Sequence, residues 1–190
     1  MPQSKSIKQR IFDLPKEARS ALAIAVARRL MDDYLELPEL TRPPFSGTLA
    51  DVVSKLEKAI TGHSDELNRE LDASLKEYYA GPYYHELRED ALPGADEDAA
   101  SATIYAIQSY CTHNKEAAGF AATQLLDATF SRADAIYVAE GIEAMSKEAD
   151  EVRSQLEQIE LDRLDRAVSL LEHEGLTEHT MSSLGTILRG

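Results

Sequence analysis

The chain has 190 residues, with 34 acidic side chains against 20 basic ones, a formal charge of −14 and a pI near 4.7. So negative a surface repels phosphate backbones, which argues against direct binding to nucleic acid. A basic partner is its natural complement, although acidity also serves solubility alone. The longest strictly apolar run, residues 21–27, is far short of the ~20 residues a membrane-spanning helix needs. Cys111 is the single cysteine, so no internal disulfide exists, and Glu17 and Arg19 interrupt any signal-peptide pattern. The expectation is a cytoplasmic, single-domain protein spanning residues 1–190 that buries roughly 70% of its unfolded surface.

Residues 6–13 predict a short amphipathic helix, peripheral to the rest, with Ile7 and Ile11 on one side. Asp13 is placed to cap the next helix, with Pro15 tolerated in its first turn. That helix runs to Tyr34 with Leu22, Ala25, Val26 and Leu30 as its core face. Pro38, Pro43 and Pro44 make residues 36–47 an irregular connection, pinned by Phe45. Thr48 opens a surface helix with Val52, Leu56 and Ile60 at i, i+4 spacing, closed by Gly62 in a left-handed cap. Ser64 caps a further helix with Leu67, Leu71 and Leu75 in one stripe and Tyr78 and Tyr79 at its end. Gly81-Pro82 stops it, a short helix follows through Leu87, and Pro93-Gly94 turns the chain.

Residues 96–140 hold the longest small-residue-rich helical pattern, divided at Thr112-His113-Asn114. The first arm carries Ala100, Ile104, Ile107 and Cys111 on one face, and the second carries Ala118, Ala122, Leu125, Thr129, Ala133 and Ile136. So many alanines allow two helix axes to approach near the lower end of the roughly 8–10 Å packing range. Ile104, Ile107, Leu125, Leu126 and Ile136 are expected at the centre, and Cys111 in the core. Asp96, Glu97 and Asp98 suit the positive end of the first arm. Gly141 and Ser146 mark a bend. Residues 147–174 then place Val152, Leu156, Ile159, Leu164, Val168 and Leu171 at near-heptad intervals, with Asp162 and Arg166 as an i, i+4 pair. Gly175 ends that helix and Thr177 caps a weak final one over residues 177–188. No strand alternation occurs. The fold class is all-α, a helical bundle around a central alanine-rich helical hairpin.

Chemistry has little foothold. A dimetal carboxylate site needs Glu-x-x-His, and none of the five histidines has a Glu three residues before it. His173 and His179 are six residues apart across Gly175, the wrong spacing for a zinc-protease pair. Cys111 and His113 suggest a thiol beside its base, but Cys111 also continues the apolar face of Ile104 and Ile107, the stronger reading. No phosphate-cradling glycine motif is present, and no cofactor or metal is expected. The least ordinary local composition is Tyr78, Tyr79, Tyr83, Tyr84 and His85 followed by Glu86, Glu89 and Asp90. Tyrosines with one dry face and a wet hydroxyl are enriched at interfaces, and nearby carboxylates attract cationic partners; the same tyrosines also suit sealing two helix ends around Gly81-Pro82. The candidate partner interface is therefore Tyr83, Tyr84, Glu86, Glu89, Asp90, Asp96, Glu97 and Asp98.

On these residues the chain resembles the YjaG-like family, small helical bacterial proteins that form a domain of unknown function. Arg29-Leu30 with Tyr34 is similar to that family's early Arg-Leu-x-Pro-x-Tyr element. Asp98-Ala99-Ala100, Ala106 and the turn at 112–118 resemble its alanine-rich hairpin. The chain departs from it at Asp32, where the family has proline, and at residues 25–27, which read Ala-Val-Ala where it commonly has a cysteine. The resemblance covers residues 18–171, implies a helical fold and supplies no active-site residue. Function is then expected to be that of an acidic interaction protein, most concretely an immunity or antitoxin-type inhibitor of a basic toxin such as a nuclease. The alternatives are an enzyme or ligand-binding bundle whose polar groups converge only in three dimensions, and a homodimer joined along residues 147–174.

Overall fold

A computed structural model describes residues 5–36, 46–62, 64–80 and 95–190, with the side chains of residues 46, 47, 78–80, 95 and 96 outside the description. These residues form eight helices and no strand: α1 Ile7–Asp13, α2 Lys16–Glu36, α3 Ser46–Thr61, α4 Asp65–Ala80, α5 Ala95–Thr112, α6 Lys115–Glu140, α7 Lys147–Glu174 and α8 Glu178–Arg189. The fold is an all-α helical bundle. The irregular connection expected over residues 36–47 and the short helix through Leu87 lie largely or wholly outside the described residues.

The helix ends follow the local chemistry with two exceptions. Ser6 accepts from the Gln9 amide at 3.3 Å, Asn114 from the Glu116 and Ala117 amides at 2.9 and 3.3 Å, and Ser146 from the Ala149 amide at 3.1 Å. Each satisfies a donor that the first helical turn leaves unpaired. Asp13, however, does not cap α2. Leu14 is extended, as the residue before a proline prefers to be, and this turns Asp13 back onto α1, where it accepts from Lys5 at 2.6 Å and Gln9 at 2.9 Å. The Pro15 carbonyl opens α2 by accepting from the Arg19 amide at 2.9 Å. Gly62 likewise lacks the left-handed backbone expected of it; the Thr61 hydroxyl closes α3 on the Glu57 and Lys58 carbonyls at 3.1 and 3.3 Å.

The expected alanine-rich hairpin is formed by α5 and α6, joined through His113, whose φ of 56° turns the chain sharply. It shares the centre with α2, whose residues 20–27 are all buried. Leu22, Ala25, Val26 and Leu30 are buried as expected, but so are Ala21, Ala23, Ile24 and Ala27, so α2 has no solvent face there. A helix that is apolar or small all round belongs inside. It packs against α5, α6, α3 and α8. Buried Ser20 donates to the Ser109 carbonyl at 2.9 Å, tying α2 to α5. Of the five residues expected at the centre, Ile104, Ile107 and Leu125 are buried, whereas Leu126 and Ile136 are half-buried.

The terminal helices are better anchored than their sequences suggest. Ile11 and the adjoining Leu14 are buried, and Phe12 lies so close to Gly119 of α6 that a Cβ there would come within 2.8 Å of its ring. Arg10 reaches Asp165 and Glu172 of α7, the latter at 2.6 Å. The C-terminal helix opens on a capping box between Thr177 and Thr180 and buries Thr180, Leu184 and Leu188. On α7, Arg166 donates to the Asp162 carbonyl at 3.4 Å instead of its carboxylate, which is held by Gln158 at 2.8 Å.

Burial on every side makes a specific prediction. Ala23→Leu and Ala25→Leu point in opposite directions from α2, yet each should destabilise by about 1–3 kcal/mol through overpacking. Urea denaturation checks it: an unchanged midpoint for Ala23→Leu would show that this face has room.

Candidate interaction surface and its charged base

The interface expected from sequence falls mostly where the structure is not described. Tyr83, Tyr84, Glu86, Glu89 and Asp90 lie outside the described residues, and Asp96 lies in the first turn of α5 with its side chain outside the description. Glu97 is exposed. Asp98 is a correction: it is buried, at 7% exposure. It precedes Ala102 and Ala106 at i+4 and i+8, both fully buried, so it heads the inward stripe of α5 and offers no carboxylate to a surface.

The thiol reading weakens in the same way. Cys111 is half-buried against the core, and burial pushes its pKa up to about 11, reinforced by the negative charge of Asp72. A thiol held so far above neutrality supplies almost no nucleophilic thiolate. His173 is exposed, with Nδ1 2.6 Å from the Ser169 carbonyl, and His179 is exposed on α8. Among the described residues no group of three His, Cys, Asp or Glu side chains could hold a metal ion.

The structure instead brings together a set of charges that are distant in sequence. Glu160 of α7 is 1% exposed; its Oε1 accepts from Arg163 at 2.8 Å and from Arg132 of α6, while Oε2 finds no donor among the described residues. Arg132 also donates to Asp33 of α2 at 3.1 Å, and Asp33 pairs with Arg29 one turn earlier. Arg29 donates to the Leu188 carbonyl at 3.1 Å and Arg163 to the Arg189 carbonyl at 3.2 Å, which attaches the end of α8. Burial lowers the pKa of the Arg29 guanidinium, and the neighbouring Arg132 lowers it further. Beside this group Arg28 holds Glu57 of α3 at 2.6 Å, a hydrogen bond that raises its pKa. Four helices therefore meet on one charged cluster.

Sequence reading passed over this cluster, although signals for it exist. Glu160 stands between Leu156 and Leu164 at i−4 and i+4, a core position, and Arg132 is the only cation between residues 116 and 146. A charge at core spacing facing a lone cation on a neighbouring helix is the pattern of a buried pair.

Beyond the cluster, α6 and α7 form a second, small core with their connection: Ala133, Tyr137 and Ala149, flanked by Ile142, Val152 and Leu156. The Tyr137 hydroxyl donates to the Ala149 carbonyl at 2.6 Å. Two helices leave much of each other uncovered, which is why Ile136 is only half-buried. Val138 is 86% exposed, Met145 94% and Phe130 49%. The exposed apolar stripe that a homodimer joined along residues 147–174 would show reduces to Ile159 at 47%, since Leu164, Val168 and Leu171 are buried in the main core.

Glu160→Gln removes the carboxylate that Arg132 and Arg163 share, and should cost about 3–5 kcal/mol, as breaking a buried pair does. Asp162→Asn, two residues away and exposed, should stay within about 0.5 kcal/mol; denaturation of both variants separates a buried pair from a solvated charge. For Cys111, labelling by a thiol reagent at neutral pH should run roughly a hundredfold slower than for an unstructured cysteine, since the thiolate fraction falls tenfold per pKa unit. Labelling at the rate of the unfolded chain would contradict it.

Comparison of the chain with family models, with curated proteins and with solved structures gives no match.

Proposed function

We propose that the chain is an acidic helical interaction protein whose partner is a basic protein, most concretely an immunity or antitoxin-type inhibitor that covers a cationic toxin such as a nuclease, in the cytoplasm. The observation that supports it is the direction in which positive charge faces. Arg28, Arg29, Arg132 and Arg163 have side chains only 17, 14, 26 and 17% exposed, each engaged by carboxylates of the same chain. With those cations and their carboxylate partners neutralising one another, the excess behind the net charge of −14 is carried by the other side chains of the chain. An acidic surface steers a basic partner into encounter and repels anionic competitors.

A ligand-binding or enzymatic bundle draws on one observation, the convergence of Arg29, Asp33, Arg132, Glu160 and Arg163. These groups are closed on one another, which suits a fastening better than a ligand site. The YjaG-like resemblance concerns packing motifs and adds no residue to either reading.

The test is capture with the tagged full chain from native lysate at about 50 mM and about 500 mM salt. The expected result is a basic protein retained at low salt and released at high salt, whose own activity falls to background when one equivalent of the chain is added. Retention of only neutral or acidic proteins, or a basic protein whose activity is unaffected, would overturn the inhibitor reading.

A further inference from the structure

The uncovered edge of the α6–α7 hairpin has a composition of its own. Phe130, Asp134 and Val138 follow at i, i+4 and i+8 along α6, so they share one side of it. Arg153 of α7 places its guanidinium 5.3 Å from the centroid of the Phe130 ring, and donates to Asp150 at 2.9 Å. That contact identifies the side of α7 that borders this edge, and it carries Asp150 three residues before Arg153 and Glu157 four residues after it. Met145 stands at the turn. Single exposed apolar residues are ordinary on a protein surface. Val138 and Met145 at 86 and 94% exposure, with a half-exposed Phe130, leave three large apolar side chains uncovered on a hairpin with a core of its own.

We infer that this edge docks a cationic amphipathic helix of the partner, its apolar stripe over Phe130, Val138 and Met145 and its lysines or arginines against Asp134, Asp150 and Glu157. The inference rests on the interaction-protein reading and says where that interaction occurs. Charge complementarity selects the occupant. Residues 133–162 hold nine acidic side chains against Lys147 and Arg153. A second copy would bring this excess against itself, and like charges across an interface disfavour the pairing. Arg153 already shows the chemistry on a small scale, a guanidinium lying over Phe130 while a carboxylate neutralises it.

The probe is a helical peptide of about 20 residues built from leucine at i, i+3, i+4 and i+7 with lysine elsewhere, compared with a scrambled peptide of identical composition. Affinities are read by fluorescence anisotropy and the site by amide chemical shifts of the full chain. The amphipathic peptide should bind at least roughly tenfold tighter than the scrambled one, with shifts concentrated at residues 130–159. Val138→Asp with Met145→Asp should remove that preference, and because both side chains are almost wholly exposed the thermal melt should not move. Glu77→Lys, exposed on α4, should leave the preference intact. Equal affinity for the two peptides overturns the inference. Cationic binding mapped to other residues overturns the site while the acidic-interaction reading stands, whereas no binding of either peptide overturns both. Self-association that the same double variant abolishes overturns the choice of occupant.

Discussion

Everything in the bundle depends on α2 having no outside over residues 20–27. A helix buried on every side needs neighbours on every side, and they can approach only if the side chains between them are small. The chain meets this with Ala21, Ala23, Ala25 and Ala27 on α2, and with Ala99, Ala102 and Ala106 on α5 and Ala118, Ala121 and Ala122 on α6, all buried. Close axes leave little room for adjustment. Gly119 shows the limit, since the ring of Phe12 occupies the space where a Cβ would project. The same closeness explains why the buried polar residues, Asp98 and Glu160 apart, are small hydroxyls, as with Ser20 on the Ser109 carbonyl and Thr103 on that of Ala99 at 2.8 Å.

α2 cannot stay apolar for its whole length, and where it turns charged the bundle changes character. From Arg28 to Asp33 it supplies two arginines and two aspartates, and α6, α7 and α8 bring Arg132, Glu160, Arg163 and Arg189 to meet them. Desolvating so many charges returns little net stability, because the attraction regained is offset by hydration lost. What the arrangement does specify is register. Arg132 and Arg163 lie on different helices and can share one carboxylate oxygen of Glu160 in only one alignment of α6 against α7.

Much of this architecture was legible from residue patterns, and the misses have physical causes. Helix positions, the break at residues 112–114, the bend marked by Gly141 and Ser146, and the Thr177 cap follow from local chemistry that acts within a few residues. The all-round burial of α2 also left a signal: residues 21–27 are seven consecutive apolar residues, a run too short for a membrane and too continuous for a one-sided stripe. The α2 start was misplaced because the restriction proline imposes on Leu14 outweighed the capping preference of Asp13. The charged cluster was missed because its members are 28 to 99 residues apart in pairs such as Arg132–Glu160 and Arg132–Asp33, and periodicity carries no information at that range. Asp98 misled for a related reason, since an acid in a first turn suits the helix dipole whichever way it faces.

The position of the cluster has a consequence for the hairpin beyond it. On one side α6 and α7 are held against α2 and α8 by shared charges and by Leu164, Val168 and Leu171; on the other they rest on Ala133, Tyr137 and Ala149. A two-helix unit with three buried residues cannot be independently stable, because isolated pairs of helices bury too little apolar surface to offset their ordering entropy. It is kept in shape by the fixed register at its base. Local opening should therefore be easiest at the turn around Met145 and hardest at Glu160, a gradient within single helices rather than between them. A partner helix laid along the exposed edge would supply the third side that this small core lacks, so binding and ordering of the hairpin would be the same event. The apolar residues left uncovered there and the charges gathered beneath them are then two halves of one constraint, a hairpin held firmly at one end so that its other end can stay open to a partner.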